Sequence, residues 1–152
     1  MTSDLIEIVL AVLVLVLGAG LEELLPKALG VGFPILLTAV QFAASRRGLL
    51  PAVLFAIAAG AMEDAISSLA PMTSVSYFLI VAVLARLSDM PRMLTAVTYP
   101  CYQVWLAVWT VGMGGGIFNR ILLSFPIGLL TAFAVEVILT WASRKAAIDE
   151  RE

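Results

Sequence analysis

The chain has 152 residues; 62% are hydrophobic, 13% are charged, and the net charge is −2. Soluble domains carry about 25% charged residues, so this composition argues against a soluble domain, and the lack of a basic tract argues against a nucleic-acid partner. There is no histidine and a single cysteine, Cys101, which removes the commonest general base, the commonest metal ligand and any disulfide framework.

The apolar residues fall in uncharged runs: Ile8–Leu21, Ala28–Ser45, Gly48–Met62, Ala65–Ala85, Met93–Asn119 and Ile121–Val135. A bilayer core of about 30 Å asks for about 20 mostly apolar helical residues, so the runs predict an integral membrane protein. Residues 1–152 form one transmembrane domain of six helices.

Helix one is expected over Leu5–Leu25, ended by Glu22, Glu23 and Pro26. No basic segment precedes it, so it reads as a retained helix rather than a cleaved signal. A turn from Gly30 to Pro34 leads into helix two, Phe33–Ala44, which is short for a span and would tilt or sit where the bilayer thins. Helix three is expected over Gly48–Ser68, with Pro51 tolerated in its first turn. Every fourth residue of it makes one stripe: Ala52, Ala56, Gly60, Asp64 and Ser68. Positions four apart share a helix face, and a small face lets two backbones approach closely in lipid. Two roles fit the stripe: a packing seam without a ligand, or a docking surface for a partner with Asp64 as its fixed polar point.

Ser67 to Pro71 should end helix three. Helix four follows at Thr73–Leu87, with Thr73 or Ser74 as its cap. Ser88 to Arg92 is a polar turn, and helix five, Met93–Val111, should kink at Pro100. Gly112 to Gly116 reads as a turn, since it lacks the strand-to-helix setting of a phosphate loop. Helix six is expected over Asn119–Ser143 and contains Pro126. Residues 144–152 make a short, charged, frayed tail.

Six spans put Arg46, Arg47, Arg86, Arg92, Arg144, Lys145 and Arg151 on one side and only Lys27 and Arg120 on the other. Basic residues favour the cytoplasmic side, so both termini are expected inside. Glu22, Glu23, Glu63 and Asp64 then gather outside.

No combination of nucleophile and base, no metal-binding spacing and no phosphate-binding motif is present, so no catalytic residue, cofactor or metal ligand is assigned and no enzymatic activity is expected. A charge at the end of helix three can be hydrated or paired, and Arg120 is the natural cation for an Asp64–Arg120 ion pair. A partner interface and proton handling are the other roles open to Asp64. Glu136 lies deeper, where charges are costly. It ends a second small stripe of Ser124, Gly128 and Ala132, with Arg86 and Arg144 at its level. Gln103, near mid-membrane, should make an interhelical hydrogen bond.

Several of these signals together form a pattern. Pro34 opens helix two, and Arg46, Arg47 and Gly48 step into helix three. Gly60, Asp64 and Ser67 follow at its end, then the turn proline Pro71, an apolar helix closed by Arg86, and Pro126 in the last helix. This order resembles the rod shape-determining protein MreD family over about Phe33 to Arg86. Where that family has a leucine-glycine step after the turn proline, this chain has Met72-Thr73-Ser74. The resemblance implies a bacterial inner-membrane scaffold of the cell-elongation (rod) complex. It would bind a bitopic MreC-like protein and link MreB filaments to peptidoglycan synthases and cell shape. It also implies a fold similar to the substrate-binding subunits of energy-coupling-factor vitamin transporters, the main alternative function. Such subunits carry an Ala-x-x-x-Ala contact on helix one, where this chain has Ala11 and Leu15.

Overall fold

The structure, a computed structural model, describes residues 2–29, 33–46, 48–88, 91–110 and 117–149. These residues form six helices: α1 (Thr2–Leu29), α2 (Ile35–Arg46), α3 (Leu49–Ile66), α4 (Thr73–Leu87), α5 (Pro91–Thr110) and α6 (Ile117–Asp149). There is no strand among them. Among the described residues one helix, α3, is both long and apolar enough to cross a membrane. Helices α2 and α4 and the stretch Ile121–Val135 of α6 are apolar but shorter.

Helix α4 has the expected bounds, and α2, α3 and α5 lie within two residues of theirs. The two outer helices are longer than the charges suggested. Helix α1 continues past Glu22, Glu23 and Pro26 to Leu29. A proline inside a helix costs one backbone hydrogen bond, and Glu22 does not end the helix because its carboxylate turns inward. Helix α6 continues through the segment expected to fray, as far as Asp149. Helix α5 runs on through Pro100 to Thr110.

Helix α2 is the centre of the fold. It touches α1, α3, α4, α5 and α6, which surround it in the order α1, α3, α4, α5, α6, each touching the next; α1 and α6 do not meet among the described residues. Twelve residues of helix span about 18 Å, well short of a bilayer. Its burial explains how so short a helix is held, since the other five helices surround it. Leu36, Leu37, Val40 and Ala44 of α2 pack with Ala52, Ala56 and Ala59 of α3 and with Phe78, Val81, Ala82 and Ala85 of α4.

The glycines mark the closest approaches. A Cβ on Gly60 would lie 2.5 Å from the Cα of Val75, so α3 and α4 meet backbone to backbone there. A Cβ on Gly128 would lie 3.1 Å from the Thr95 carbonyl oxygen, which sets α6 against α5. Both small stripes are therefore packing seams. Ala52, Ala56, Gly60 and Asp64 are buried along α3, and Ser124, Gly128 and Ala132 along α6. Ser68 departs from the first stripe. It lies beyond the end of α3, exposed, with φ 51°.

The interior is polar for so apolar a chain. Thr38, Gln41, Asp64, Thr73, Ser74, Thr95, Thr98, Ser124 and Thr131 are all buried. Large apolar side chains point outward instead, among them Leu17, Leu24, Leu54, Leu130 and Phe133.

Candidate functional site

The carboxylates of Glu22, Glu63 and Asp64 meet at the end of the bundle where α2 and α4 begin. The first turn of a helix leaves backbone N–H groups without intrahelical partners. At α2 the Leu36 amide donates to Glu22 Oε1 at 2.8 Å, a carboxylate that arrives from α1. At α4 the Ser74 amide donates to Asp64 Oδ1 at 2.7 Å, a carboxylate from α3. Both short helices are thus capped by an acid on a neighbouring helix, which suits the positive end of the helix dipole. The expected cap at Thr73 or Ser74 is corrected by this geometry. Met72 occupies the cap position without a side-chain bond, and the Thr73 hydroxyl donates backward to the Ala70 carbonyl at 2.8 Å.

Asp64 fastens the α3–α4 turn twice. Its carbonyl accepts from the Leu69 amide at 2.9 Å, while its side chain holds Ser74. The Leu69 bond spans a residue of positive φ, Ser68, in the manner of a helix-ending left-handed turn. Pro71 lies exposed in the same turn, and Met72 closes it with φ 72°. Ser67 caps α3, its amide bonded to the Glu63 carbonyl at 2.9 Å. Pro34 precedes α2, and its carbonyl accepts from Thr38. Gly48 precedes α3 with an ordinary φ of −61°, and an added Cβ would meet only Pro51, at 3.7 Å. Gly48 therefore has no steric requirement for glycine.

Around these caps lie Glu63, Tyr102, Ser74 and Trp105. The Tyr102 hydroxyl is 2.6 Å from Ser74 Oγ and 3.5 Å from Glu63 Oε1. The Ser67 hydroxyl donates to the same Glu63 oxygen at 3.2 Å. The Glu63 carboxyl stands within hydrogen-bonding reach of the Glu22 carboxyl. Glu22 Oε2 and Asp64 Oδ2 are buried without a donor. Two facing carboxylates offer only acceptors, so a proton or a cation is needed to join them. The described basic side chains do not supply it. Arg46 lies at the other end of α2, stacked 4.3 Å above the Phe42 ring, and Arg86 sits at the other end of α4. Among these described side chains, Arg46 and Arg86 lie at one end of α2 and α4, and Glu22, Glu63 and Asp64 at the other.

A second polar link runs through the middle. Gln41 of α2 accepts a hydrogen bond from Thr95 and donates to Thr98 Oγ1 at 2.6 Å, both on α5. Tyr77 of α4 donates to the Thr98 carbonyl at 2.5 Å. Gln41, missed by the sequence analysis, makes the interhelical bond expected of Gln103. Gln103 instead bonds Tyr99 on its own helix. A signal for Gln41 was present: it is the one amide side chain in helix two, between Val40 and Phe42. The side chains of Glu136 and Arg120 lie outside the described residues, and with them the Asp64–Arg120 pair.

Comparison with protein families, with curated proteins and with solved structures finds no match to this chain.

Proposed function

We propose that the chain is a multi-pass membrane scaffold of the MreD kind, located in the bacterial inner membrane and acting without catalysis. The observation that carries the membrane part is the apolar outer surface. Phe133 is 71% exposed and Leu130 66%, while threonine, serine, glutamine and aspartate side chains share the interior with the apolar core. Only 28% of the apolar window Leu49–Ile66 is buried. Soluble monomers rarely expose such continuous apolar surface, whereas lipid tails cover it at no cost. Packing in lipid relies on small residues and interhelical hydrogen bonds, as at Gly60, Gly128 and Gln41.

The scaffold part rests on the order of Pro34, Gly48, Gly60, Asp64, Ser67 and Pro71, which resembles that family. The α3 seam is occupied within the bundle, so a bitopic MreC-like helix would dock on an outward face instead. Peptidoglycan synthases and MreB filaments would then be reached through that complex. Co-purification with the bitopic partner and restored rod shape in a strain lacking its own MreD are the expected results. Failure of both would overturn the scaffold role. The vitamin-transporter alternative is favoured by one observation, the polar cluster at one end of the bundle, and predicts co-purification with a paired ATPase module.

A further inference from the structure

The cluster where α2 and α4 begin has more acceptors than donors. Asp64 is only 6% exposed, and one of its carboxylate oxygens, Oδ2, has no partner. Glu22 Oε2 is buried in the same condition, with the Glu63 carboxyl beside it. The Tyr102 hydroxyl is 3.5 Å from Glu63 Oε1 and 2.6 Å from the hydroxyl of Ser74, whose amide Asp64 holds. The Tyr102 ring begins an aromatic row. Tyr102 and Tyr77 are 5.0 Å apart, Tyr77 and Trp105 5.9 Å, and Trp105 and Trp109 5.9 Å. Trp109 is 61% exposed, so the row leads from the surface to the carboxylates.

Among the described residues no group of three acidic, histidine or cysteine side chains could hold a metal ion. Carboxylates joined to aromatic faces suit another cation. An ammonium or guanidinium group has several N–H donors for unpartnered carboxylate oxygens, and it is attracted to the faces of tyrosine and tryptophan rings. We propose that Glu22, Glu63 and Tyr102 form a binding site for an organic ammonium or guanidinium group, with Asp64 behind them and the aromatic row beside them. The group could come from a free amine or from a lysine or arginine of a partner helix. The site does not depend on the scaffold role.

The test uses the full chain in lipid nanodiscs, with Trp109 and Trp141 replaced by phenylalanine. Trp105 then reports alone, since its indole N–H is fixed on the Thr73 carbonyl at 3.0 Å beside Tyr77. n-Butylammonium chloride is titrated against equal sodium chloride and against butanol. A second titration uses a single-spanning helical peptide with one lysine at its outer end, and its alanine version. A saturable change with butylammonium alone among the small molecules assigns a free-amine site. A response only to the lysine peptide assigns a partner's side chain. In either case Glu22→Gln and Glu63→Gln, which keep side-chain volume, should each weaken binding by about tenfold or more, as loss of a charged hydrogen-bond partner does. Silence in both titrations overturns the site, as does a response that neither variant alters. Far-UV circular dichroism verifies folding, and if one variant fails to fold the other decides.

Discussion

At the scale of single residues, Gly60 and Asp64 do different work although they share a stripe. Gly60 is needed for space. Placing a Cβ 2.5 Å from the Val75 Cα forces two backbones apart, so Gly60→Ala should lower stability by about 2 kcal/mol or more, at the upper part of the range for overpacking. Gly20→Ala is the control, since nothing lies within 4 Å of the added carbon. Thermal unfolding of the two variants in the same membrane mimic checks the difference, and equal losses would contradict the close approach. Asp64 is needed for its acceptor. Asp64→Asn keeps an oxygen for the Ser74 amide, whereas Asp64→Ala strands that amide and should cost about 1–2 kcal/mol, as loss of a cap does. Alanine and asparagine variants of equal stability would refute the cap. Gln41→Leu leaves the hydroxyls of Thr95 and Thr98 without their amide partner. The expected loss is about 0.6–2 kcal/mol, the span measured for polar contacts between helices in membranes.

At the scale of elements, the helices were legible, and so were the ends of α2, α3, α4 and α5 to within two residues, but those of α1 and α6 were not. Small residues at every fourth position announced both seams, because helical periodicity is local and needs no knowledge of the fold. The bounds of α1 and α6 were misjudged for a related reason. A charged residue reads as a helix end only if its side chain must reach water, and Glu22 reaches the first turn of α2 instead. The α3–α4 turn holds two residues in the left-handed region, Ser68 and Met72. That region costs a non-glycine residue about 1–2 kcal/mol. Both side chains are exposed, so no packing is lost by removing them. Met72→Gly and Ser68→Gly should each be neutral or raise stability by up to about 1 kcal/mol after the greater unfolded-state freedom of glycine is counted. A clear loss of melting temperature in either would show that the turn is shaped differently.

At the scale of the whole molecule, five helices surround a short sixth, and the described charges at the ends of α2 and α4 are of opposite sign. Arg46 and Arg86 close α2 and α4 at one end, while Glu22 and Asp64 hold the first turns of the same helices at the other. If lipid surrounds the bundle, a charge on the outward face should be far costlier than one at an end. Phe133→Arg, in the middle of α6, should impair insertion by about 2.5–3.5 kcal/mol, as translocon-based scales give for arginine at a helix centre. Leu24→Arg, near the acidic end of α1, should insert almost normally. A glycosylation or protease-protection assay of insertion measures both, and equal insertion would argue against a lipid-facing surface.

The sequence by itself determined the helical class, the separation into six segments and the two small seams, because composition and a spacing of four are properties of neighbouring residues. Only the tertiary structure decided that α2 is the centre, that Glu22 and Asp64 cap helices other than their own, and that Gln41 rather than Gln103 joins two helices. Each of these depends on which groups meet across the bundle. A carboxylate finds its amide, and a glutamine its threonines, only after the packing of backbones has set the distances between them.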